Sequence, residues 1–379
     1  MLQLTSPTPA VDWGRVLPPR RFAWDSGSFR ENLADRTILV TGAGGSIGAA
    51  LARALARAPA QRLILLDHSE QNLYQIEAEL AVVAGVPPRA AVLGDVGDAA
   101  LLESLLREER PEIIFHTAAF KHVPLTEANP FATIRNNALA TWHLAQLAAE
   151  HGVPRLLLVS TDKAANPRSI MGASKRLAEL AVLRWNAPRT CARALRLGNL
   201  LGSHGSVGPL FARQVAAGTV VTVTDPGASR YFLTIEDAVH LLLSVASLQR
   251  EEGLFLPEMG EPVRITELAE RLHRLAGDSQ KQLKIRFIGL RPGEKVNEDL
   301  ISSSETLQPT ALPGVHRIAG RPVPPHVVDV GFDKVRSQVE KRDLAGLLEV
   351  VRGLVPEYLP SPELLERSSS VAPAATPHD

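Results

Sequence analysis

The run Leu158-Val-Ser-Thr-Asp-Lys163 ends a short apolar stretch with two hydroxyls, a carboxylate and an amine in succession. Ser160, Thr161, Asp162 and Lys163 can therefore donate hydrogen bonds and move protons from a single turn. Met171-Gly-Ala-Ser-Lys175 follows. Met171 and Lys175 are four residues apart, which puts them on one face of a helix. Groups with adjustable protonation collect at the carboxyl ends of strands in open α/β sheets, and that is the functional reading of Lys163. The plain alternatives are an exposed loop lysine at 163 and a core-filling thioether at 171.

A second constellation lies nearer the N-terminus. Thr41-Gly-Ala-Gly-Gly-Ser-Ile-Gly48 follows an apolar run and opens a helix, with Gly42, Gly45 and Gly48 at Gly-x-x-Gly-x-x-Gly spacing. Such a turn lets backbone approach a pyrophosphate and lets the helix pack closely on its strand. The N–H groups of Ser46, Ile47 and Gly48 then lie at the positive end of a helix dipole, suited to phosphate. Asp67 ends the next strand, with His68 beside it. A carboxylate there accepts from both ribose hydroxyls and repels a 2′-phosphate, favouring NAD over NADP; the alternative is an Asp capping the helix that starts near Ser69. Asp95, followed by Val96, can hold the adenine amino group or simply close a turn. Thr117, Ala118 and Ala119 supply small residues for a cofactor lying across the fourth strand.

These motifs need a scaffold, and the alternation around them predicts one. Strands are expected at Thr37–Thr41, Arg62–Leu66, Ala90–Leu93, Ile113–Thr117, Leu156–Ser160 and Ala192–Leu197. Helices are expected at Ser46–Arg57, Ser69–Ala84, Ala99–Glu108, Phe131–Glu150 and Met171–Trp185. Short apolar strands alternating with helices predict right-handed βαβ units in a Rossmann-type, doubly wound parallel α/β sheet, covered on both faces. The expected division is a lead-in over 1–36, extended at Pro18-Pro19-Arg20-Arg21, then a cofactor-binding core over 37–198. A smaller substrate lobe follows over 199–358, with helices at Ile235–Ser247 and Ile265–Ala276. From 359 to 379 the chain is small, polar and Pro-containing, which predicts a disordered tail.

At this point a resemblance can be named. The Ser-Thr-Asp-Lys run with Met-x-x-x-Lys, Lys121-His122-Val123 after Thr117-Ala-Ala119, and Arg291-Pro-Gly-Glu-Lys295 resemble the UDP-N-acetylglucosamine 4,6-dehydratases of bacterial glycan and capsule biosynthesis. These are extended short-chain dehydrogenases/reductases, and the similarity runs from about Val16 to Gly353. The resemblance implies oxidation at C4 of the sugar, removal of the C5 proton, loss of water from C6 and return of the hydride to C6. It implies Lys163 as the C5 base, Asp162 as the acid at the C6 hydroxyl, Thr161 as a donor to the C4 oxygen and Lys175 at the nicotinamide ribose. A lysine base is expected to be pulled from ~10.4 toward ~7–8, with Lys175 and the cationic nicotinamide as the cause.

Ordinary dehydrogenases of this superfamily carry Tyr where Met171 stands. A thioether moves no proton, so Asp162, through Thr161 or a water, is the expected acceptor from the C4 hydroxyl. Met in place of Tyr resembles the C5-retaining branch. The resemblance further implies Arg230 and Arg291 as diphosphate and uridine contacts, Glu294 on the ribose, Asn199, Ser206 and Val207 near the phosphates, and Lys121 and His122 lining the sugar pocket. The longer members of the family carry a membrane portion ahead of the catalytic domain, and this chain begins just before that domain. Relatives on this fold commonly pair through the helices near Phe131–Glu150 and Met171–Trp185, so a homo-oligomer is expected.

Composition narrows the partners. Among 379 residues, Lys+Arg and Asp+Glu both number 41, so the formal net charge is zero. That balance gives no reason to expect nucleic acid or an anionic membrane surface. The lone cysteine, Cys191, excludes a disulfide framework within the chain and is expected as a buried thiol. His-x-x-x-His spacing is absent, so no metal is expected. No apolar run reaches the ~20 residues of a membrane span. The N-terminus lacks the charged start and apolar core of a secretion signal, making the cytoplasm the expected location.

Overall fold

The computed structural model describes residues 11–17, 31–249, 251–277, 282–320 and 322–370. The extended lead-in expected at Pro18–Arg21 lies outside the described residues.

Strands β1 (Thr37–Thr41), β2 (Arg62–Asp67), β3 (Arg89–Leu93), β4 (Ile113–His116), β5 (Arg155–Thr161) and β6 (Cys191–Leu197) are joined by helices. These are α1 (Ser46–Leu55), α2 (Glu70–Ala81), α3 (Ala99–Glu109), α4 (Ala140–Glu150) and α5 (Ile170–Arg184). The fold is a Rossmann-type doubly wound sheet, parallel in the order β3-β2-β1-β4-β5-β6. Every residue of β1 is buried, as a strand covered on both faces requires. The order reverses between β1 and β4, where Thr41 stands opposite His116. A ligand crevice opens at such a reversal, outside the carboxyl ends of the strands.

The sheet does not stop at the boundary expected near 198. Strand β7 (Gly253–Pro257) adds parallel to β6, and β9 (Val315–Gly320) and β8 (Glu305–Pro309) continue it antiparallel, giving nine strands among the described residues. Helices α6 (Val207–Ala216), α7 (Ile235–Ser247) and α8 (Ile265–Leu275) follow the core. Of these, α7 joins the main hydrophobic core through Leu241, Leu242 and Val245. Residues of α6 and α8 form a separate apolar cluster with Val16 and Leu17, whereas Leu33, also of the lead-in, packs into the main core.

Two expectations are corrected by the outer helices. Phe131–Glu150 is not one α-helix: Arg135–Leu139 forms a π-turn ahead of α4. The turn presents Asn137, whose amide pairs with the Phe120 backbone N–H and C=O at 2.8 and 2.9 Å. Second, a helical hairpin of α9 (Pro325–Lys341) and α10 (Leu344–Leu354) lies against α4 and α5. Trp142 stacks on Phe332 with ring centroids 4.3 Å apart, and Arg184 forks onto Asp329 at 2.7 and 2.9 Å. The face through which relatives were expected to pair is thus covered by the chain's own hairpin.

The expected disordered tail is also revised. Helix α11 (Pro362–Ser370) is formed and docked: Leu364 is buried, Ser361 Oγ donates to Glu127 at 2.7 Å, and Arg367 donates to the Glu127 carbonyl. Residues 371–379 lie outside the described residues. Cys191 is half-buried at the start of β6, and burial raises its thiol pKa. Among the described residues no helix is long and apolar enough to cross a membrane, and no group of three or more His, Cys, Asp or Glu could hold a metal.

Candidate active site

The glycine turn is built as its spacing demands. Gly42 has φ +68°, and a Cβ there would lie 2.7 Å from Ala118 Cα. A Cβ on Gly48 would land on the Gly42 carbonyl oxygen. Both positions need the missing side chain, one for its backbone conformation and both for close approach. Thr117 Oγ1 donates to the carbonyls of Thr41 and Gly42 at 2.8 and 3.2 Å, locking the end of β4 to the turn. Gly45 caps α1 with no side chain, so the first N–H groups of that helix, at Ser46, Ile47 and Gly48, have no side-chain cap.

Asp67, expected at the adenosine ribose, does the capping work weighed against that role. Its Oδ2 accepts from Gly44 N–H at 2.9 Å and its Oδ1 from Ser69 N–H at 2.8 Å. Asp95 closes a turn by accepting from Gly97 N–H at 2.7 Å, and Val96 is buried in the core. His68 is exposed and meets Phe120 edge-on, with centroids 6.4 Å apart. Phe120 was not foreseen; its place after Ala118-Ala119 is the only signal for it. Replacing Asp67 with alanine should weaken NAD binding about 10- to 100-fold and abolish discrimination against NADP. Titrating the variant with each nucleotide measures both effects.

At the end of β5, Thr161, Asp162 and Lys163 converge. Thr161 Oγ1 donates to Asp162 Oδ1 at 3.0 Å, and Lys163 Nζ donates to the same oxygen at 2.9 Å. Asp162 is fully buried, and its Oδ2 has no hydrogen-bond partner among the described residues. Lys163 Nζ also donates to Asn199 Oδ1 at 2.7 Å and lies 3.4 Å from Glu298 Oε1. The expectation for Lys163 is corrected here. Burial lowers its pKa, but Asp162 and Glu298 outweigh burial and hold it above the ordinary lysine value.

Burial lowers two other lysines: Lys121, and Lys175, which is pushed down to about 8 with Glu179 opposing. Beneath it His116 is neutral, pushed down to about 3 by burial and by Lys175. Thr141 Oγ1 donates to Asn137 O at 2.7 Å, so it accepts from His116 Nε2–H at 2.8 Å. His116 Nδ1 then accepts from Thr41 Oγ1 at 2.7 Å, which fixes the tautomer. Met171 is buried in the first turn of α5, one turn before Lys175.

The residues after 198 are brought to the same mouth in part. Asn199, expected near the phosphates, faces Lys163 and accepts from its amine. Ser206 caps α6 ahead of Val207, and its buried Oγ has no hydrogen-bond partner among the described residues. His122 lies against Gly205, with its pKa lowered by burial, Lys121 and Arg291; these cations share one edge of the cleft. Arg291 is exposed and paired with Glu294 at 2.9 Å. Arg230 departs from the expected diphosphate contact: its buried guanidinium donates to the carbonyls of Ser229, Lys295 and Val296 at 2.7–2.8 Å and meets Glu298 at 3.6 Å. A buried guanidinium must satisfy its donors, and this one braces the 295–298 segment.

Residues 38–320 match the family model described as polysaccharide biosynthesis protein. The chain belongs to the polysaccharide biosynthesis protein family. Within it, the capsular polysaccharide biosynthesis protein CapD of Staphylococcus aureus is 42% identical over 288 residues, which cover 74% of this chain and 47% of CapD. The chain thus spans about half the length of that relative. The UDP-N-acetylglucosamine 4,6-dehydratase (inverting) of Campylobacter jejuni is 32% identical over 276 residues, covering 72% of this chain and 79% of that protein. Among solved structures, the dTDP-glucose 4,6-dehydratase DesIV of Streptomyces venezuelae, solved with NAD bound, is similar with a TM-score of 0.60 at 25% identity. That match covers 70% of this chain and 88% of DesIV.

Proposed function

We propose that this member of the family is an NAD-dependent nucleotide-sugar 4,6-dehydratase that acts on UDP-N-acetylglucosamine and keeps the C5 configuration. The observation that carries this reading is the pairing of buried Asp162 with partly exposed Lys163 at the end of β5, joined to Thr161, with Met171 where a dehydrogenase would place a phenol. A bare oxidation or epimerisation at C4 needs no acid–base pair aimed at C5 and C6.

The site fits a dinucleotide on this structure's own terms. The uncapped end of α1, the close approach of Gly42 to Ala118 and the carboxylate of Asp67 suit a pyrophosphate and an unphosphorylated ribose. NAD held there would supply hydride acceptance from C4 and hydride return to C6.

The remaining work falls to side chains. Thr161 bridges toward the C4 hydroxyl, and its proton passes to Asp162, whose Oδ2 is buried and without a hydrogen-bond partner. Asp162 then gives a proton to the departing C6 hydroxyl. Lys163 takes the C5 proton, and its amine, whose hydrogens exchange with solvent, returns a proton from the same face, which retains configuration. Lys175 holds the nicotinamide ribose, and Lys121, His122 and Arg291 offer cationic contacts to the diphosphate end, with Glu294 on the uridine ribose.

The test is incubation of purified protein with UDP-N-acetylglucosamine and mass analysis of the sugar nucleotide. A product lighter by one water supports dehydration. An isomer of unchanged mass would replace the reading with epimerisation, and unaltered substrate would leave a cofactor-binding regulator.

A further inference from the structure

Glu298 stands outside the motifs that identify the site, yet its side chain is buried and faces the presumptive base directly. Its Oε1 is 3.4 Å from Lys163 Nζ and 3.6 Å from Arg230 Nε. Its Oε2 has no hydrogen-bond partner among the described residues and lies 4.0 Å from Lys295 Nζ. The segment is held there on purpose-built contacts. Arg230 donates to the carbonyls on either side of the Lys295–Val296 bond, Lys295 Nζ donates to Ala165 O at 3.0 Å, and Ser229 Oγ donates to Asn297 Oδ1 at 2.7 Å. Burying a carboxylate against a lysine is costly unless the pair is matched in geometry. A purely structural carboxylate would be expected to have both oxygens hydrogen-bonded.

The dehydratase reading, on which this inference rests, leaves a proton unaccounted for. Lys163 lies between the carboxylates of Asp162 and Glu298, with Asn199 accepting from the same amine. In that setting it is an ammonium, and an ammonium cannot take the C5 proton. Asp162 is committed to the C4 hydroxyl proton. We infer that Glu298 is the positioning residue that sets the charge of Lys163: it holds the side chain as an ammonium in the free enzyme and accepts one of its protons before C5 is attacked.

The step balances within the pair. A Lys163 N–H bond breaks and a Glu298 O–H bond forms, leaving a neutral amine and a neutral acid. The amine takes the C5 proton as the C5 carbanion forms. When C5 is reprotonated, the Lys163 ammonium gives up one of its exchangeable protons, and the amine recovers the one held by Glu298. The charged groups that bear on the pair are Asp162 on the turn of Lys163, Arg230 on the short strand Ser229–Arg230, and Lys295 on the segment of Glu298.

The experiment is competitive acetylation of the substrate-free holoprotein, with the Lys163 peptide quantified against exposed Lys334 from about pH 7 to pH 10 in steps. The Lys163 side chain is 20% exposed, enough for a small reagent to reach it. In the wild type, labelling should still be climbing at the top of the range. In Glu298→Gln it should bend to a plateau within the range, an apparent pKa lower by about one unit or more. Glu298→Asp, with the charge drawn back by one methylene, should fall between the two and covers the case in which the glutamine variant does not fold. Wild-type and variant profiles with the same midpoint would overturn the inference. A shifted midpoint in a protein that dehydrates no UDP-hexose would uphold the charge-setting role of Glu298 and overturn the dehydratase reading.

Discussion

Replacing Lys163 with methionine should lower kcat for the proposed dehydration by about 10²- to 10⁴-fold, the usual contribution of a positioned general base, and leave the binding of the sugar nucleotide almost unchanged. Methionine keeps the length and apolar stem of lysine but can neither accept a proton nor donate to Asp162 and Asn199. The affinity should hold because the groups proposed for the nucleotide, Lys121, His122, Arg291 and Glu294, lie on other segments of the chain. The measurement is steady-state kinetics beside direct titration with the substrate, together with solvent-deuterium incorporation at C5 of any product. The wild type should place solvent hydrogen at C5, and the variant should lose that exchange in step with kcat. A variant that kept its rate, or lost affinity alone, would remove Lys163 from the chemistry.

What the sequence makes legible in this site is what local chain geometry determines. The glycine turn, Asp67 at the end of β2 and the Thr161–Lys163 run lie within single strand–loop–helix units, and each unit's spacing prescribes its shape. Lys163 shows where that legibility ends. Its position is readable, but its protonation depends on Glu298, which arrives from a distant loop pinned by Arg230 and Lys295. Lys175, to which the resemblance assigns only the nicotinamide ribose, is pushed down to about 8 by burial that its spacing does not reveal.

Arg230 teaches the same lesson in reverse. An arginine after a turn looks like a free anion fork until three backbone carbonyls close around it. The fold was readable in the same proportion. The parallel core follows from apolar runs and helix periodicity, whereas the antiparallel extension by β8 and β9 depends on pairings far apart in sequence. The π-turn at Arg135–Leu139 was hidden because it answers to the Phe120 backbone and to Ser174, not to the periodicity of its own helix.

Arg196→Met should destabilise the fold by about 3–5 kcal/mol, because it removes the cation from a buried ion network. Arg196 is fully buried on β6; it forks onto Glu179 of α5 with two bonds of 2.8 Å and onto Glu305 of β8 at 2.7 and 2.9 Å. Ser160 Oγ also donates to Glu179 at 2.6 Å, and Arg176 donates to it at 3.0 Å, so the network ties the catalytic strand end to the helix that carries Lys175. Methionine would leave two buried carboxylates with only Arg176 nearby, and the melting temperature should drop on the order of 10 °C.

The pH dependence has a definite sign. Burial raises the pKa values of Glu179 and Glu305, but the arginines outweigh it and hold both below the ordinary glutamate value. Carboxylates depressed in the folded state stabilise it above their unfolded pKa, about 4.3, and that contribution is lost as pH falls through their folded values. Wild-type stability should therefore decline on acidification below about pH 4.3, and the methionine variant should show a shallower decline because its carboxylates are no longer held down. Adding Glu179→Gln and Glu305→Gln to Arg196→Met should recover part of the loss, since no buried charge is then left uncompensated. Calorimetry of the single and triple variants across that pH range decides it, and a single variant as stable as the wild type would show that the network contributes nothing to the fold.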